Sequence, residues 1–176
     1  SQALHLARYR FASQHVQGKR VLDVGCGSGY GSRLLRLAGA AMVIGVDRSE
    51  EALRFALREG PTEGVRFAVG DARALPVLVR ALEVVVAFEL IEHLAEQREF
   101  LRALAEAMAL DGVLLISTPN RMVYRAALRH AGAQMPYHVA ELLPWEFEAL
   151  LRERFEEVRL MGPVSYTHLR AHETGR

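Results

Sequence analysis

The chain has 176 residues, of which 51% are hydrophobic and 24% are charged, a composition typical of one globular domain. A formal net charge of +1 excludes a global basic field, so nucleic acid could be held only through a local patch. A lone cysteine, Cys26, excludes an internal disulfide framework, and apolar runs such as 84–88 are too short to span a membrane. We therefore expect a cytoplasmic location without membrane insertion. The chain begins with Ser1, so we also expect a longer parent protein.

Apolar runs rich in β-branched residues predict strands that are buried on both faces of a parallel sheet. Four such runs are residues 21–24, 42–46, 84–88 and 113–117. Weaker strand candidates are residues 65–69 and 157–161. The runs are separated by stretches long enough for helices, which predicts strands and helices in alternation.

Two of the intervening stretches carry apolar residues at helical spacing. Their members are Phe100, Leu101, Leu104 and Met108 in the first, and Trp145, Phe147, Leu150, Leu151 and Phe155 in the second. Pro144 suits the first position of the second helix, and Ser49 suits the N-cap of a further helix that ends near Gly60. Strands alternating with helices predict right-handed crossovers and an α/β fold with a doubly wound, mostly parallel sheet.

A glycine-rich loop follows the first predicted strand, in the segment VLDVGCGSGYG. Gly25, Gly27 and Gly29 let the backbone approach a ligand at the carboxyl end of a strand, where doubly wound sheets bind ligands. This indicates a nucleotide-like cofactor. The dinucleotide fingerprint would need a further glycine at position 30 or 32, where Tyr30 and Ser32 stand, so the pattern disfavours NAD.

The arrangement Asp23-x-Gly25-x-Gly27-x-Gly29 resembles the first motif of class I S-adenosylmethionine-dependent methyltransferases. The resemblance implies a Rossmann-like sheet whose last strand is antiparallel, and S-adenosyl-L-methionine as the cofactor. It also implies that the loop, which includes Cys26, cradles the methionine part of that cofactor. The alternative left open by the loop alone is an ordinary glycine-rich turn between strand and helix.

Acidic residues follow the next two strands. Asp47 ends the second strand in VIGVDRS, about 20 residues after the loop, where a carboxylate can accept hydrogen bonds from ribose hydroxyls. The resemblance assigns this role to Asp47, with Arg48 beside it, and places Asp71 and the Ala72 amide near the adenine amino group. It also places Phe88 along the cofactor. The alternatives are an Asp47 that supports the next helix, a solvated turn for Asp71 and core packing for Phe88.

The end of the fourth strand carries an E-x-x-E-H pattern formed by Glu89, Glu92 and His93. In a helix these three side chains would share one face, above the methyl donor. The pattern is similar to motifs in small-molecule methyltransferases, including ubiquinone-pathway O-methyltransferases, and in enzymes that 2′-O-methylate RNA 3′ ends. His93 is the candidate base, oriented by Glu89 or Glu92, and a divalent metal held with His138 is left open. The alternatives are a pocket-shaping His93 and a loop histidine at position 138.

The expected function is methyl transfer to a hydroxyl oxygen of a small molecule or glycan. The alternatives are metal-assisted 2′-O-methylation of an RNA 3′ end and a non-catalytic S-adenosylmethionine-binding domain. The oligomeric state is left open. His5, His15 and His130 have no evident partner in the sequence and are interpreted as surface residues.

The C-terminal segment stands apart from the rest of the chain. Residues 164–174 read VSYTHLRAHET, which resembles a translated transposon-adapter sequence, whereas the methyltransferase resemblance extends from about residue 6 to residue 163. We therefore expect a methyltransferase domain over residues 1–163, a non-native tail over 164–176, and a sheet that lacks its last strand. The alternative is a genuine polar tail.

Overall fold

A computed structural model describes residues 2–60, 63–131, 139–161 and 166–171. The helices are α1 (Gln2–Ala12), α2 (Tyr30–Leu37), α3 (Glu50–Arg58), α4 (Gln97–Ala107), α5 (Arg121–Ala131) and α6 (Pro144–Arg152). The strands are β1 (Arg20–Val24), β2 (Met42–Asp47), β3 (Val65–Val69), β4 (Leu82–Phe88), β5 (Met108–Ser117), β6 (Phe155–Met161) and β7 (Tyr166–Ala171). Within these residues, no helix has both the length and the apolar character needed to cross a membrane.

The strands form one sheet in the order β3-β2-β1-β4-β5-β7-β6. The first five strands in this order are parallel to their neighbours. The order along the sheet reverses between β1 and β4, and such a switch point opens a crevice at the carboxyl ends of the strands. The predicted α/β, doubly wound, mostly parallel fold is therefore confirmed.

The expectation that the sheet lacks its last strand is wrong. Strand β7 lies between β5 and β6 and is antiparallel to both, with Val113 opposite Arg170 and Val158 opposite Leu169. Residues 166–171 thus satisfy backbone hydrogen-bonding groups that β5 and β6 would otherwise leave open. The domain boundary that we expected after residue 163 does not coincide with the end of the sheet. The non-native origin of residues 164–176 stays a prediction.

Strand β1 shows why the predicted strands are almost continuously apolar. Leu22 and Val24 belong to a core cluster with α4 and α6, whereas Val21 belongs to a second cluster with α1 and α2. Successive side chains of a strand point to opposite faces, and helices cover both faces of this sheet. All six sequence-predicted strands are present.

Both helices that were predicted from apolar spacing are present, although the last apolar residue assigned to each lies in the following strand. Ser49 Oγ accepts a hydrogen bond of 3.2 Å from the Ala52 amide at the start of α3, and Pro144 opens α6. Phe100, Leu101 and Leu104 are buried in α4, as their spacing predicts. Met108 instead is the first residue of β5, because α4 ends at Ala107, and Phe155 is the first residue of β6, because α6 ends at Arg152.

Candidate functional site

A cleft of about 570 Å³ runs along the carboxyl ends of β3, β2, β1 and β4. This volume lies in the range of roughly 300–1,000 Å³ that is typical of small-molecule and cofactor sites. The predicted site residues that line it are Gly25, Asp47, Arg48, Asp71, Ala72, Phe88, Glu89 and His93. Residues that were predicted from separate strand ends are thus brought together in one cavity.

The glycine loop is fastened to the neighbouring strand. The Gly25 and Cys26 amides both donate to the Val46 carbonyl, at 2.8 and 3.2 Å. Gly27 has a φ of +52°, and a Cβ on it would meet no other atom within 4 Å, so open space lies beside the backbone there. This conformation favours glycine and leaves room for a ligand against the main chain.

Asp47 is fixed by two backbone amides. Its Oδ2 accepts from the Gly27 amide and its Oδ1 accepts from the Ser49 amide, both at 2.8 Å. The carboxylate therefore supports the start of α3 and also ties β2 to the glycine loop. Each carboxylate oxygen can accept a further hydrogen bond, so both functions that the sequence suggested for Asp47 are compatible.

Asp23 lies behind the glycine loop. It is fully buried and accepts hydrogen bonds from the Tyr9 hydroxyl at 2.9 Å and the Ser32 hydroxyl at 2.7 Å. Burial raises the pKa of this carboxyl to about 6, against the opposing effect of the two donors. Asp23, Cys26, Gly27 and Gly29 are not among the described residues that line the cleft. Asp23 thus supports the loop from behind, whereas its expected contact with a cofactor stays a prediction.

Cys26 is almost completely buried beneath the loop. Burial is the main cause that raises the pKa of its thiol far above the usual range, and the nearby carboxylates of Asp23 and Asp47 add to the effect. The thiol is therefore neutral at physiological pH. Its backbone amide holds the loop to β2, which is the contribution of Cys26 that the geometry supports.

The N-terminal helix contributes residues that the sequence analysis missed. Tyr9 is buried against the start of α2, where a Cβ on Gly31 would clash with the Tyr9 ring, and the ring meets Phe88 edge-on with 5.2 Å between the ring centroids. His5 is half-buried and packs on the rings of Tyr9 and Tyr30, so its interpretation as a surface residue is wrong. Hydrophobic periodicity does not predict such ring contacts between different elements.

Helix α1 also reaches Glu89, at the end of β4. Arg8 is buried, and its Nη2 lies 3.0 Å from Glu89 Oε1. The Ser117 hydroxyl donates to the same oxygen at 2.9 Å, and the Glu89 amide donates to the Ser117 carbonyl at 3.0 Å. Glu89 is therefore held by α1, β4 and β5 at once, with its charge compensated by Arg8.

The helix expected over residues 89–93 does not form. Glu89 has a φ of +52°, in the left-handed region, and a single 3₁₀ turn covers only Ile91–His93. Consequently Glu89 and the exposed His93 line the cleft, whereas Glu92 points into the protein. The expectation that all three share one face is wrong, because a left-handed residue breaks the helical spacing.

Glu92 is buried and takes no part in lining the cleft. It accepts a hydrogen bond of 3.1 Å from the Thr118 hydroxyl, and its backbone carbonyl accepts from the amides of Val139 and Ala140. Burial, followed by the charge of Glu89, raises the pKa of the Glu92 carboxyl to about 8. Glu92 is thus mainly protonated at neutral pH, which makes it unsuitable as the orienting carboxylate.

The described residues give no support to a metal centre. Among them, no group of three or more histidine, cysteine, aspartate or glutamate side chains is arranged to hold an ion. The candidates Glu89, Glu92 and His93 diverge, for the reasons given above. His138, the fourth candidate, lies outside the described residues.

Asp71 follows β3 and is exposed at the β3 end of the cleft. It accepts from the Arg73 amide at 2.8 Å and from two nitrogens of the Arg73 guanidinium, the shorter contact being 2.7 Å. These hydrogen bonds lower the pKa of the Asp71 carboxyl to about 2. Asp71 and Ala72 were expected here from the sequence, whereas Arg73 was not, because its partners Asp71 and Glu96 are far apart in the sequence.

Comparison with known proteins agrees with this geometry. A protein family described as a methyltransferase domain matches residues 2–168. A probable S-adenosylmethionine-dependent methyltransferase of Mycolicibacterium smegmatis is 32% identical over 154 residues, which cover 88% of this chain and 58% of the relative. A ubiquinone biosynthesis O-methyltransferase of Azorhizobium caulinodans is 37% identical over 121 residues, covering 68% of this chain and 47% of that protein. The chain thus spans about half the length of these curated relatives.

Solved structures show the same architecture. The YcgJ protein of Bacillus subtilis superimposes with a TM-score of 0.75 at 22% sequence identity, over 89% of this chain and 70% of that protein. At this identity the similarity concerns the fold alone.

Proposed function

Since the chain belongs to the methyltransferase domain family, we propose that it transfers a methyl group from S-adenosylmethionine to a hydroxyl oxygen of a small molecule or glycan. The observation that carries the proposal is the order of groups along the cleft. From one end to the other, the strands present Asp71, Asp47, the glycine loop and Glu89. An extended ligand that carries an adenine, a ribose and an amino-acid part in this order would meet a suitable partner at each position.

The nucleoside half of the cleft carries the two carboxylates. The Gly27 and Ser49 amides fix the Asp47 carboxylate, to which we assign the ribose hydroxyls, and we assign the adenine to Asp71 with the Ala72 amide. Charge-assisted hydrogen bonds are roughly twice as strong as neutral ones. We assign the affinity for the nucleoside mainly to Asp47, because it is less exposed than Asp71.

The acceptor half of the cleft lies beyond Phe88. When bound, the cofactor supplies a methyl group made electrophilic by its sulfonium sulfur. Glu89 aligns the acceptor by accepting a hydrogen bond from a hydroxyl next to the reacting one, because the contacts with Arg8 and Ser117 fix its carboxylate. His93 lines the same cavity and takes the proton of the reacting hydroxyl as a general base. Glu92 supports the turn beneath them by holding Val139 and Ala140.

The name of one relative supports oxygen as the acceptor atom. The Azorhizobium caulinodans relative is named as an O-methyltransferase of ubiquinone biosynthesis, and this chain spans 47% of it. The formal net charge of +1 argues against a large polyanion as acceptor, since binding to nucleic acid depends on clustered positive charge. These two points support a hydroxyl compound without a large negative charge as the proposed acceptor.

Transfer of a radiolabelled methyl group to a panel of phenols, catechols and monosaccharides tests the proposal. We expect turnover with at least one hydroxyl acceptor, a loss of about 100-fold or more in His93→Ala, and a comparable loss in Glu89→Gln. Glu59→Gln, at an exposed position of the turn after α3, is the matched control and should retain full turnover. Cofactor binding without transfer to any acceptor would instead indicate the non-catalytic alternative. Full turnover in both cleft variants would contradict the assigned roles.

A further inference from the structure

Arg73 connects the two walls at the β3 end of the cleft. Its Nε and Nη2 bond to Asp71, after β3, whereas its Nη1 lies 2.9 Å from Glu96 Oε2, just before α4. Its guanidinium therefore connects the segment after β3 with the segment before α4, which are far apart in the sequence. An arginine is suited to this arrangement because its planar group carries donors on two edges.

The same side chain separates two cavities. On one side lies the cleft of about 570 Å³, lined here by Asp71, Ala72 and Glu96. On the other side lies a cavity of about 320 Å³ between the connection from β3 to β4 and helix α4, lined mainly by aliphatic residues and by the charged side chains of Arg102 and Glu106. Arg73 is common to both linings. Arg73 therefore lies at the border between the two cavities.

We propose that Arg73 is a specificity-determining residue that closes the nucleoside end of the cleft and restricts it to an adenine whose amino group carries no substituent. This inference rests on the proposed function, because it places the adenine beside Asp71. A substituent on the amino nitrogen would point past Asp71 into the space that the Arg73 guanidinium occupies. Without Arg73, that substituent would enter the neighbouring cavity.

The exposure of this ion-pair network makes the proposal easy to test. The Arg73 side chain is 40% exposed and its partners Asp71 and Glu96 are 47% and 46% exposed. Exposed ion pairs contribute little to stability, so removal of the guanidinium should change selectivity without unfolding the chain. If Arg73 were a surface residue without influence on the cleft, its removal would change neither selectivity nor folding.

Calorimetric titration with S-adenosylhomocysteine and with its N6-benzyl derivative is the test. The parent chain should bind the unsubstituted compound about 100-fold more tightly than the benzyl derivative, and Arg73→Ala should reduce this ratio about tenfold or more. Glu96→Ala, which frees one edge of the guanidinium, should reduce the ratio by less. Arg102→Ala is the matched control, because Arg102 lines only the second cavity, and it should keep the parent ratio.

The outcomes separate this inference from the proposed function. If the parent binds S-adenosylhomocysteine and Arg73→Ala discriminates as strongly as the parent does, Arg73 does not restrict the cleft and the inference is wrong. Loss of all binding in a folded Arg73→Ala variant would also overturn it, because Arg73 would then be a primary ligand contact. If the parent binds neither compound, the proposed function fails and the inference fails with it.

Discussion

Replacement of Arg8 by methionine tests the connection between the N-terminal helix and the cleft. The change removes the guanidinium that lies 3.0 Å from Glu89 Oε1 and leaves that carboxylate without a compensating charge. Removing one partner of a buried ion pair costs about 3–5 kcal/mol. The Glu89 side chain is 27% exposed, so water replaces part of the interaction, and we expect a loss of about 2–3 kcal/mol. In a domain of this size the melting temperature should fall by about 4–12 °C.

Thermal and urea melts measure this loss, with Arg10→Met, at an exposed position on the same helix, as the matched control. The double variant Arg8→Met/Glu89→Gln isolates the pair, since Arg8→Met should cost clearly less when the carboxylate is already neutral. An equal cost of Arg8→Met in both backgrounds would refute the reasoning, because the guanidinium would then stabilise the chain through packing alone.

Three further predictions concern the supports of the site. The folded chain retains a proton on Glu92 up to a pKa of about 8 that the unfolded chain releases near 4.5, so stability falls as pH rises between these values. Glu92→Gln should therefore gain stability relative to the parent as pH increases from 5 to 8 in urea melts, and a pH-independent difference would contradict this. Tyr9→Phe removes one of two donors to buried Asp23 and should cost about 1–3 kcal/mol in the same assay, whereas no loss would contradict the assignment. Deletion of residues 164–176 should lower the melting temperature by several degrees, because β7 joins β6 to the sheet; an unchanged temperature would favour a tail without a structural role.

The strands and the common cleft at their carboxyl ends could be predicted because their signals are local. A run such as 84–88 is apolar throughout, since both faces of β4 are covered, and a parallel sheet places the ends of its strands at one edge. Asp47 and Gly25 could therefore be assigned to a common cleft without knowledge of any distance. The N-cap role of Ser49 is equally local, because it depends on residues three positions apart.

The remainder of the site depends on contacts that are distant in sequence. The Arg8–Glu89 pair joins the first helix to the fourth strand, and Arg73 bonds to Glu96 from another element. Glu89 has a left-handed conformation and contacts Ser117 and Arg8, and this conformation invalidates spacing arguments that assume a regular helix. The burial of Glu92 follows from that break, so the sequence pattern could not distinguish it from the exposed His93.

Calorimetric titration of S-adenosylhomocysteine into the parent chain and into Asp47→Asn tests the central claim most directly. Asp47→Asn keeps the size of the side chain but removes the charge that we assign to ribose binding, while Asp111→Asn makes the same change at an exposed position of β5. A charged hydrogen bond contributes about 1.5–3 kcal/mol, so Asp47→Asn should bind about 10- to 100-fold more weakly than the parent. Asp111→Asn should bind as the parent does. Equal affinity of the parent and a folded Asp47→Asn variant would contradict the assignment of this cleft as the cofactor site.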